Sequence, residues 1–395
     1  MVSQILDMIH EEQRSRSAQL ETARKNGKKV IGWLGYNIPE EIIHALGMIP
    51  VRLGKGGDDR LVERGARYVS TQNCVFVREI AGLFAENKDP FITNCDAVLV
   101  DSTCMQLYRL AEVLRHYFKI KTFILGVPRS FEREAAREYY IHEIEGLVHE
   151  LEEYSGYKLK EKELVSSVAL YNNIREVIRE LYQYSGAGNS PVRWRDMYHA
   201  ALAGYALDRA SYLSLLQKLL TELKIETSTG DIITSDKETR IFLSGSVIAP
   251  GDIKLIDIIE RSNGTIVGDD LWSGLAPFLR IKVQKPTIRG IAEGYMNRVP
   301  HATQPCSNHA ADVRMQNLKQ MVRDYDADGV IYHTLRYCDS FTLRTAHVRN
   351  SLKDAGIPLL DIHTEYAGSD FESIRTRVEA FMELLEANQQ PGEVA

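Results

Sequence analysis

The sequence contains no window of about 18 consecutive apolar residues, which excludes an ordinary membrane-spanning helix. Its opening stretch, MVSQILDMIHEEQRSRSAQLETARKNGKK, has apolar residues at helical spacing but no continuous apolar run of the kind an export signal needs. The expected compartment is therefore cytoplasmic, with no membrane partner. Charge of one sign is not concentrated either. There are 48 Lys and Arg against 54 Asp and Glu, a net charge of −6, and no basic stretch long enough to neutralise a run of phosphates. Nucleic acid is thus not expected as the main partner. The glycine-rich GKGGDD lacks the spacing GxxxxGK[ST], so it reads as a tight polar turn, and the chain shows no ATPase apparatus of its own. No GxGxxG follows the first predicted strand, so a dinucleotide fingerprint is missing. No nucleophile–base arrangement stands out, and there is no low-complexity tract. The five cysteines, Cys74, Cys95, Cys104, Cys306 and Cys338, are odd in number and widely spaced. That argues against a disulfide framework, and the close pairs common in structural zinc sites and ferredoxins are absent.

What is present suits a two-domain chain. The 395 residues divide into two at roughly 150–200 residues per domain. With 44% apolar and 26% charged residues, each domain can bury an ordinary core. Val30 to Leu34 reads as a buried strand ending in Gly35. GYNIPEEIIHALG then reads as a helix, with Pro39 in its first turn, Glu40 and Glu41 at its positive end and Gly47 at its stop. Strands at Ile49–Leu53, Ala97–Val100 and Thr122–Val127 alternate with helices after Cys74 and from Met105 to Phe118. From about Glu132 to Leu223 the pattern is charged and helical, with one break at GAGNSPVRW. Alternation resumes at RIFLSGS, TIVGDD, DGVIYHT and IPLLDIH, and the chain closes on the helix SDFESIRTRVEAFMELLEA. This predicts an α/β protein with two Rossmann-like (flavodoxin-like) parallel sheets joined by a helical region. The divisions are an N-terminal helix at 1–28, a first α/β domain at 29–130, a helical region at 131–235 and a second α/β domain at 236–395.

The two halves match. Each has a strand ending in glycine (Gly35, Gly245), then PEEI or PGDI opening a helix. Each continues with a strand, a cysteine before a helix, a buried strand and a second cysteine before a further helix. Cys74 to Cys104 is 30 residues and Cys306 to Cys338 is 32, whereas the spacers from Pro39 to Cys74 and from Pro250 to Cys306 are 35 and 56. In parallel α/β sheets sites form beyond the carboxyl ends of the strands, where Cys104 and Cys338 fall. If the domains face each other, these thiols meet in the cleft. A helix start favours a thiolate, and thiolates are what iron–sulfur clusters and zinc require. The plainer reading is that each cysteine is a small buried apolar residue, and Cys95, entering a strand, is read that way. His44 and the arginines of ESIRTRVEAF read as structural, Asp269 and Asp270 as solvated turn residues. His333 reads as either a satisfied core histidine or a cleft residue.

Several blocks together carry a resemblance. GYNIPEEIIHALGMIPVRL, Cys74, VLVDSTC and DADGVIYHTLRYCDSFTLRTAHVRNSLKDAGIPLLDIHTEY with IRTRVEAFMELL resemble the 2-hydroxyacyl-CoA dehydratase and benzoyl-CoA reductase family, over about residues 28–128 and 240–388. The resemblance implies a cubane [4Fe–4S] cluster held by three cysteines, at positions matching Cys74, Cys104 and Cys338, with one iron site open. Cys306, in TQPCSNH, sits where some members have a cysteine, as a fourth ligand or a close neighbour. It also implies a related cluster-bearing subunit as partner, a separate ATP-dependent iron–sulfur activator that injects a low-potential electron, and an acyl-CoA substrate. An open iron can act as a Lewis acid toward a thioester carbonyl or hydroxyl. Asn37, at the GYNIP turn, is either a turn or capping residue or a hydrogen-bond donor to substrate. Two rival readings are a double-cubane reductase of small molecules, which needs six thiolates where this chain has five, and a scaffold subunit that carries a cluster without catalysis.

Overall fold

The computed structural model describes residues 1–186, 190–229, 238–304 and 308–389. Cys306 and part of the GAGNSPVRW break lie outside the described residues. The strands are β1 (Val30–Leu34), β2 (Ile49–Arg52), β3 (Ala97–Asp101), β4 (Lys121–Leu125), β5 (Thr239–Gly245), β6 (Gly264–Asp269), β7 (Gly329–Leu335) and β8 (Leu359–Thr364). They form two four-stranded sheets of the same order, β2-β1-β3-β4 and β6-β5-β7-β8, parallel throughout. Every residue of β1, β3 and β7 is buried, as a central parallel strand covered on both faces requires. The α/β class and the pair of Rossmann-like sheets are thus as the alternation predicts. No helix among the described residues is long and apolar enough to cross a membrane.

Between the sheets run four helices, Glu134–Ser155, Glu161–Ser185, Trp194–Ala203 and Arg209–Thr229. Helix Glu161–Ser185 ties both halves. Its Arg175 is buried and paired with the fully buried Glu41 at 2.5 Å, and Tyr295 donates to Glu41 at 2.9 Å. Trp194, at the start of the next helix, donates to Asp269 at 2.9 Å. The N-terminal helix Val2–Lys25 lies against helices Trp194–Ala203 and Arg209–Thr229, and its Arg24 holds Asp96 at 2.7 Å.

Four features depart from the sequence expectations. PGDI does not open a helix: Pro250–Ile253 is a turn with Gly251 at φ 103°, and the helix is Lys254–Arg261. The segment after Cys338 is two helices, Asp339–Thr342 and Thr345–Lys353. Asp269 is not a solvated turn residue. It is fully buried, accepts from the amides of Leu271 (3.0 Å) and Leu275 (2.9 Å), and burial raises its carboxyl to about 7. Asp270 is half-buried, with one oxygen lacking a partner among the described residues, and burial raises it to about 6. Finally, the longer spacer of the second half leaves its own sheet. Ile281, Val283, Ile291 and Tyr295, carried on and before helix Ile288–Met296, join the core around Ile31, Trp33 and Phe123 of the first half.

Candidate functional site

The first and second sheets present their carboxyl ends to a common interface. Gly35, at the end of β1, has φ 145°, and the Asp101 carboxylate lies where a side chain would start. That carboxylate, buried at the end of β3, accepts from the amides of Tyr36 (2.7 Å), Asn37 and Thr103 (2.9 Å). It thereby fixes the GYN turn to the DSTC turn. In the second half the Ser246 hydroxyl does comparable work, accepting from the Leu335 amide at 2.9 Å. Tyr337 then takes φ 63°, a left-handed backbone that turns the chain sharply into Cys338.

Each of three cysteines stands immediately before a helix: Cys74 before Val75–Glu86, Cys104 before Met105–Tyr117 and Cys338 before Asp339–Thr342. All three line one cavity of about 480 Å³ between the two halves. Cys74 and Cys338 are hydrogen-bonded to one another through their sulfurs. This contact pulls the Cys74 thiol below its ordinary range and, with burial and the field of Cys74, pushes Cys338 well above. Burial raises Cys104 to about 11, and the field of Cys74 adds to it. The amides that open each helix act against burial, Phe76 and Val77 on Cys74, Leu107 and Gln106 on Cys104, Phe341 on Cys338, each favouring the thiolate.

One side chain ties the three turns together. Gln106 accepts from the Cys74 amide at 2.6 Å, and its amide group donates to the Tyr337 carbonyl (2.9 Å) and to Asp339 (3.0 Å). It sits two residues after Cys104, so one amide links a turn of each half beside each sulfur. The sequence offered no signal for it, since its partners are more than 230 residues away for two of the three contacts.

The cavity wall is aromatic. Phe76, Trp272, His301 and Phe341 follow edge to face, with centroid spacings of 5.9, 5.5 and 5.3 Å. The Thr303 amide donates to His301 Nδ1 at 3.2 Å, and burial with nearby Arg314 lowers this imidazole to about 3. His301 is therefore neutral with its proton on Nε2, and neither Nε2 nor the buried indole Nε1 of Trp272 has a partner among the described residues. Two unspent N–H donors in adjacent rings suit an acceptor oxygen. Neither ring was singled out from the sequence; a lone Trp or His gives no local clue to what it faces.

The other sequence candidates lie elsewhere. Asn37 is buried and spends its amide on the Thr103 hydroxyl at 2.9 Å, bracing the turn before Cys104; it does not line the cavity. His333 is a core residue, fully buried, bonded to Thr364 at 2.7 Å and lowered to about 3 by burial. His44 stands edge-on to Tyr171 at 5.9 Å. Cys95 lies under the first sheet, accepting from the Gly32 amide at 3.2 Å, with burial raising it to about 12.

Among the described residues no group of three or more His, Cys, Asp or Glu is arranged to grip a single metal ion. The thiols instead surround a volume, with two sulfurs in contact and Cys104 acting on them through its field. A soft three-thiolate donor set beside an aromatic wall fits a polynuclear iron–sulfur group better than a lone hard cation.

Residues 36–385 match the model of the family described as 2-hydroxyglutaryl-CoA dehydratase, D-component. The (R)-phenyllactyl-CoA dehydratase beta subunit of Clostridium sporogenes is 24% identical over 371 residues, covering 91% of this chain and 93% of its own. A benzoyl-CoA reductase subunit of Thauera aromatica is 24% identical over 362 residues, 91% of each chain. The (R)-2-hydroxyglutaryl-CoA dehydratase beta subunit of Acidaminococcus fermentans is 22% identical over 395 residues, 97% of this chain and 100% of its own. These relatives are subunits of two dehydratases and one reductase. With nearly its whole length matched and its thiols gathered at the junction of two like sheets, the chain belongs to the 2-hydroxyglutaryl-CoA dehydratase D-component family.

Proposed function

We propose that the chain is the cluster-bearing subunit of a 2-hydroxyacyl-CoA dehydratase-like or benzoyl-CoA reductase-like enzyme, with Cys74, Cys104 and Cys338 as the ligands of a [4Fe–4S] cluster. The observation that carries this is the meeting of three thiols, from two halves of the chain, at three helix starts in one cavity. When bound, the cluster supplies a low-potential electron and an open Lewis-acidic iron. The chain's own residues do the rest. The helix-opening amides favour the anionic sulfurs, and Gln106 keeps the three turns in register. The aromatic wall keeps water from a reactive radical. His301 Nε2 and Trp272 Nε1 offer hydrogen bonds to a thioester carbonyl or hydroxyl oxygen.

Electrons arrive from a separate ATP-dependent iron–sulfur activator, and the enzyme is made whole by a related, second subunit. The reaction is radical dehydration or reduction of an acyl-CoA. The six-thiolate alternative is the weaker one, because Cys95 is enclosed beneath a sheet and away from the cavity. Anaerobic purification with iron and sulfide counting, and EPR after reduction, tests the proposal. About four irons per chain and a reduced-cluster signal are expected, both lost in Cys338→Ala with the fold retained. A chain that holds no iron when prepared without oxygen would overturn it.

A further inference from the structure

Two turns outside the lining of the thiol cavity interlock where the halves meet. The GKGGDD turn of the first half meets the Pro250–Ile253 turn of the second, and the Gly56 amide donates to the Pro250 carbonyl at 3.0 Å. A Cβ on Gly57 would fall 2.8 Å from the Gly251 carbonyl oxygen, and one on Gly251 would fall 2.6 Å from that of Gly56. A Cβ on Gly56 would meet Asp252, Ala249 and the Tyr366 hydroxyl at 2.8, 3.1 and 3.1 Å. The seam is closed backbone to backbone, with no side chain there to cushion a shift.

Each half buries a carboxyl at this seam that the proposed chemistry does not use. Glu79, on helix Val75–Glu86, is fully buried, and neither of its oxygens has a partner among the described residues. Asp252 is 6% exposed, and its carboxyl takes no hydrogen bond among the described residues. The buried Tyr366 hydroxyl is likewise unpartnered among them and lies in the field of both acids. Nearby cations are spent. Lys55 pairs with Asp89, while Lys254 pairs with Asp370 and donates to the Glu365 and Ala367 carbonyls at 2.7 and 2.9 Å. Asp58, which also faces Glu79, is held by Arg60 at 3.2 Å. Two carboxyls so enclosed stay neutral more readily than charged. Burial, helped by Asp58 and Asp252 and opposed by the Asp58 amide and Lys55, raises Glu79 to about 8. Burial, opposed by Lys254 and helped by Asp370, raises Asp252 to about 7.

We propose that Glu79 and Asp252 are a proton-operated latch between the two halves, shut while both carboxyls are protonated and released when they ionise. Ionised, they place like charges on opposite sides of a seam that has no slack. Glu79 rides on the helix that begins at Cys74, and that helix start is itself tied to the second half, the Val75 amide donating to the Arg336 carbonyl at 3.4 Å. Release therefore loosens the Cys74 side of the thiol cavity. The shut seam keeps protons that the open seam gives up, so closure is complete at low pH and is lost as pH rises through about 7 to about 8. The latch does not depend on what the thiols hold.

Hydrogen–deuterium exchange of the full-length chain, followed by mass spectrometry at about pH 6 and about pH 8.5 and corrected for the intrinsic effect of pH on exchange, tests it. In the wild type, protection of the peptides carrying Gly56 and Val75 falls roughly tenfold or more at the higher pH, while the strand Val30–Leu34 keeps its protection. In Glu79→Gln/Asp252→Asn, which cannot ionise, the two peptides are protected equally at both pH values. Where that double variant does not fold, Asp252→Asn alone shrinks the wild-type effect severalfold. Wild-type protection at Gly56 and Val75 that does not change with pH would overturn the proposal. So would an equal loss in Val30–Leu34, which would mean unfolding of the whole chain and not release of a seam, or a pH effect of full size in the variants.

Discussion

The two halves share one strand order but close their site by different means. In the first, helix Asp59–Gly65 crosses helix Val75–Glu86 backbone to backbone, because Gly65 meets the Arg78 carbonyl and Gly82 the Leu61 carbonyl with no room for a Cβ. In the second half the equivalent spacer is longer and goes out to cover the first sheet instead. The PEEI and PGDI turns diverge in the same way. Glu41 is buried with a guanidinium partner, whereas Asp252 is buried without one, and burial raises it to about 7. A duplicated topology therefore fixes where the thiols emerge. What holds each turn in place was worked out separately in each half.

The comparison can be broken most severely at the helix crossing. Gly82→Ala should part the two helices that flank Cys74, costing about 3 kcal/mol or more, with loss of the cooperative unfolding transition of the first half. Arg175→Met should cost about 3–5 kcal/mol in chemical denaturation, because it strands the Glu41 carboxylate in the core. The double change Glu41→Gln/Arg175→Met should recover much of that loss.

Asp252 sharpens the contrast through pH. Its carboxyl moves from 3.8 to about 7 on folding, so the folded chain keeps a proton that the unfolded chain releases between those values. Stability contributed by this group is full at low pH and is lost as pH rises across that window. Asp252→Asn should therefore flatten the fall in stability between pH 4 and 7 by about 1–3 kcal/mol, read from denaturation midpoints at both ends.

The smallest effect on stability is expected at Gln106. Gln106→Ala should cost only about 1 kcal/mol, since the side chain is half-buried. It should nevertheless speed loss of iron from the anaerobic protein, because it releases the Cys74, Cys104 and Cys338 turns together. Equal iron retention in wild type and variant would show that the turns hold their register without it.

Much of the fold was legible in the sequence because its signals are short-range. Buried apolar runs such as VIGWL and AVLVD, Pro39 with Glu40 and Glu41 at a helix start, and glycines at strand ends act within a few residues of themselves. The placement of Cys74, Cys104 and Cys338 ahead of helices was legible for the same reason. The burial of Asp269 was not, because its partner Trp194 lies 75 residues away on another element. Nor was PGDI, whose likeness to PEEI is one of letters and not of backbone, since Gly251 takes a conformation no residue in PEEI does.

By itself, then, the sequence determined the two parallel sheets, the junctions at which cysteines leave them and the family to which those motifs belong. Tertiary structure decided that Cys74 and Cys338 touch, that Gln106 spans both halves, that the 281–296 segment changes sides and that the Gly56 and Gly251 turns interlock. The physical reason is range. Periodicity and capping are settled by neighbours along the chain. What faces what across the interface depends on how two sheets settle against each other, and that is set by burial summed over residues far apart in sequence.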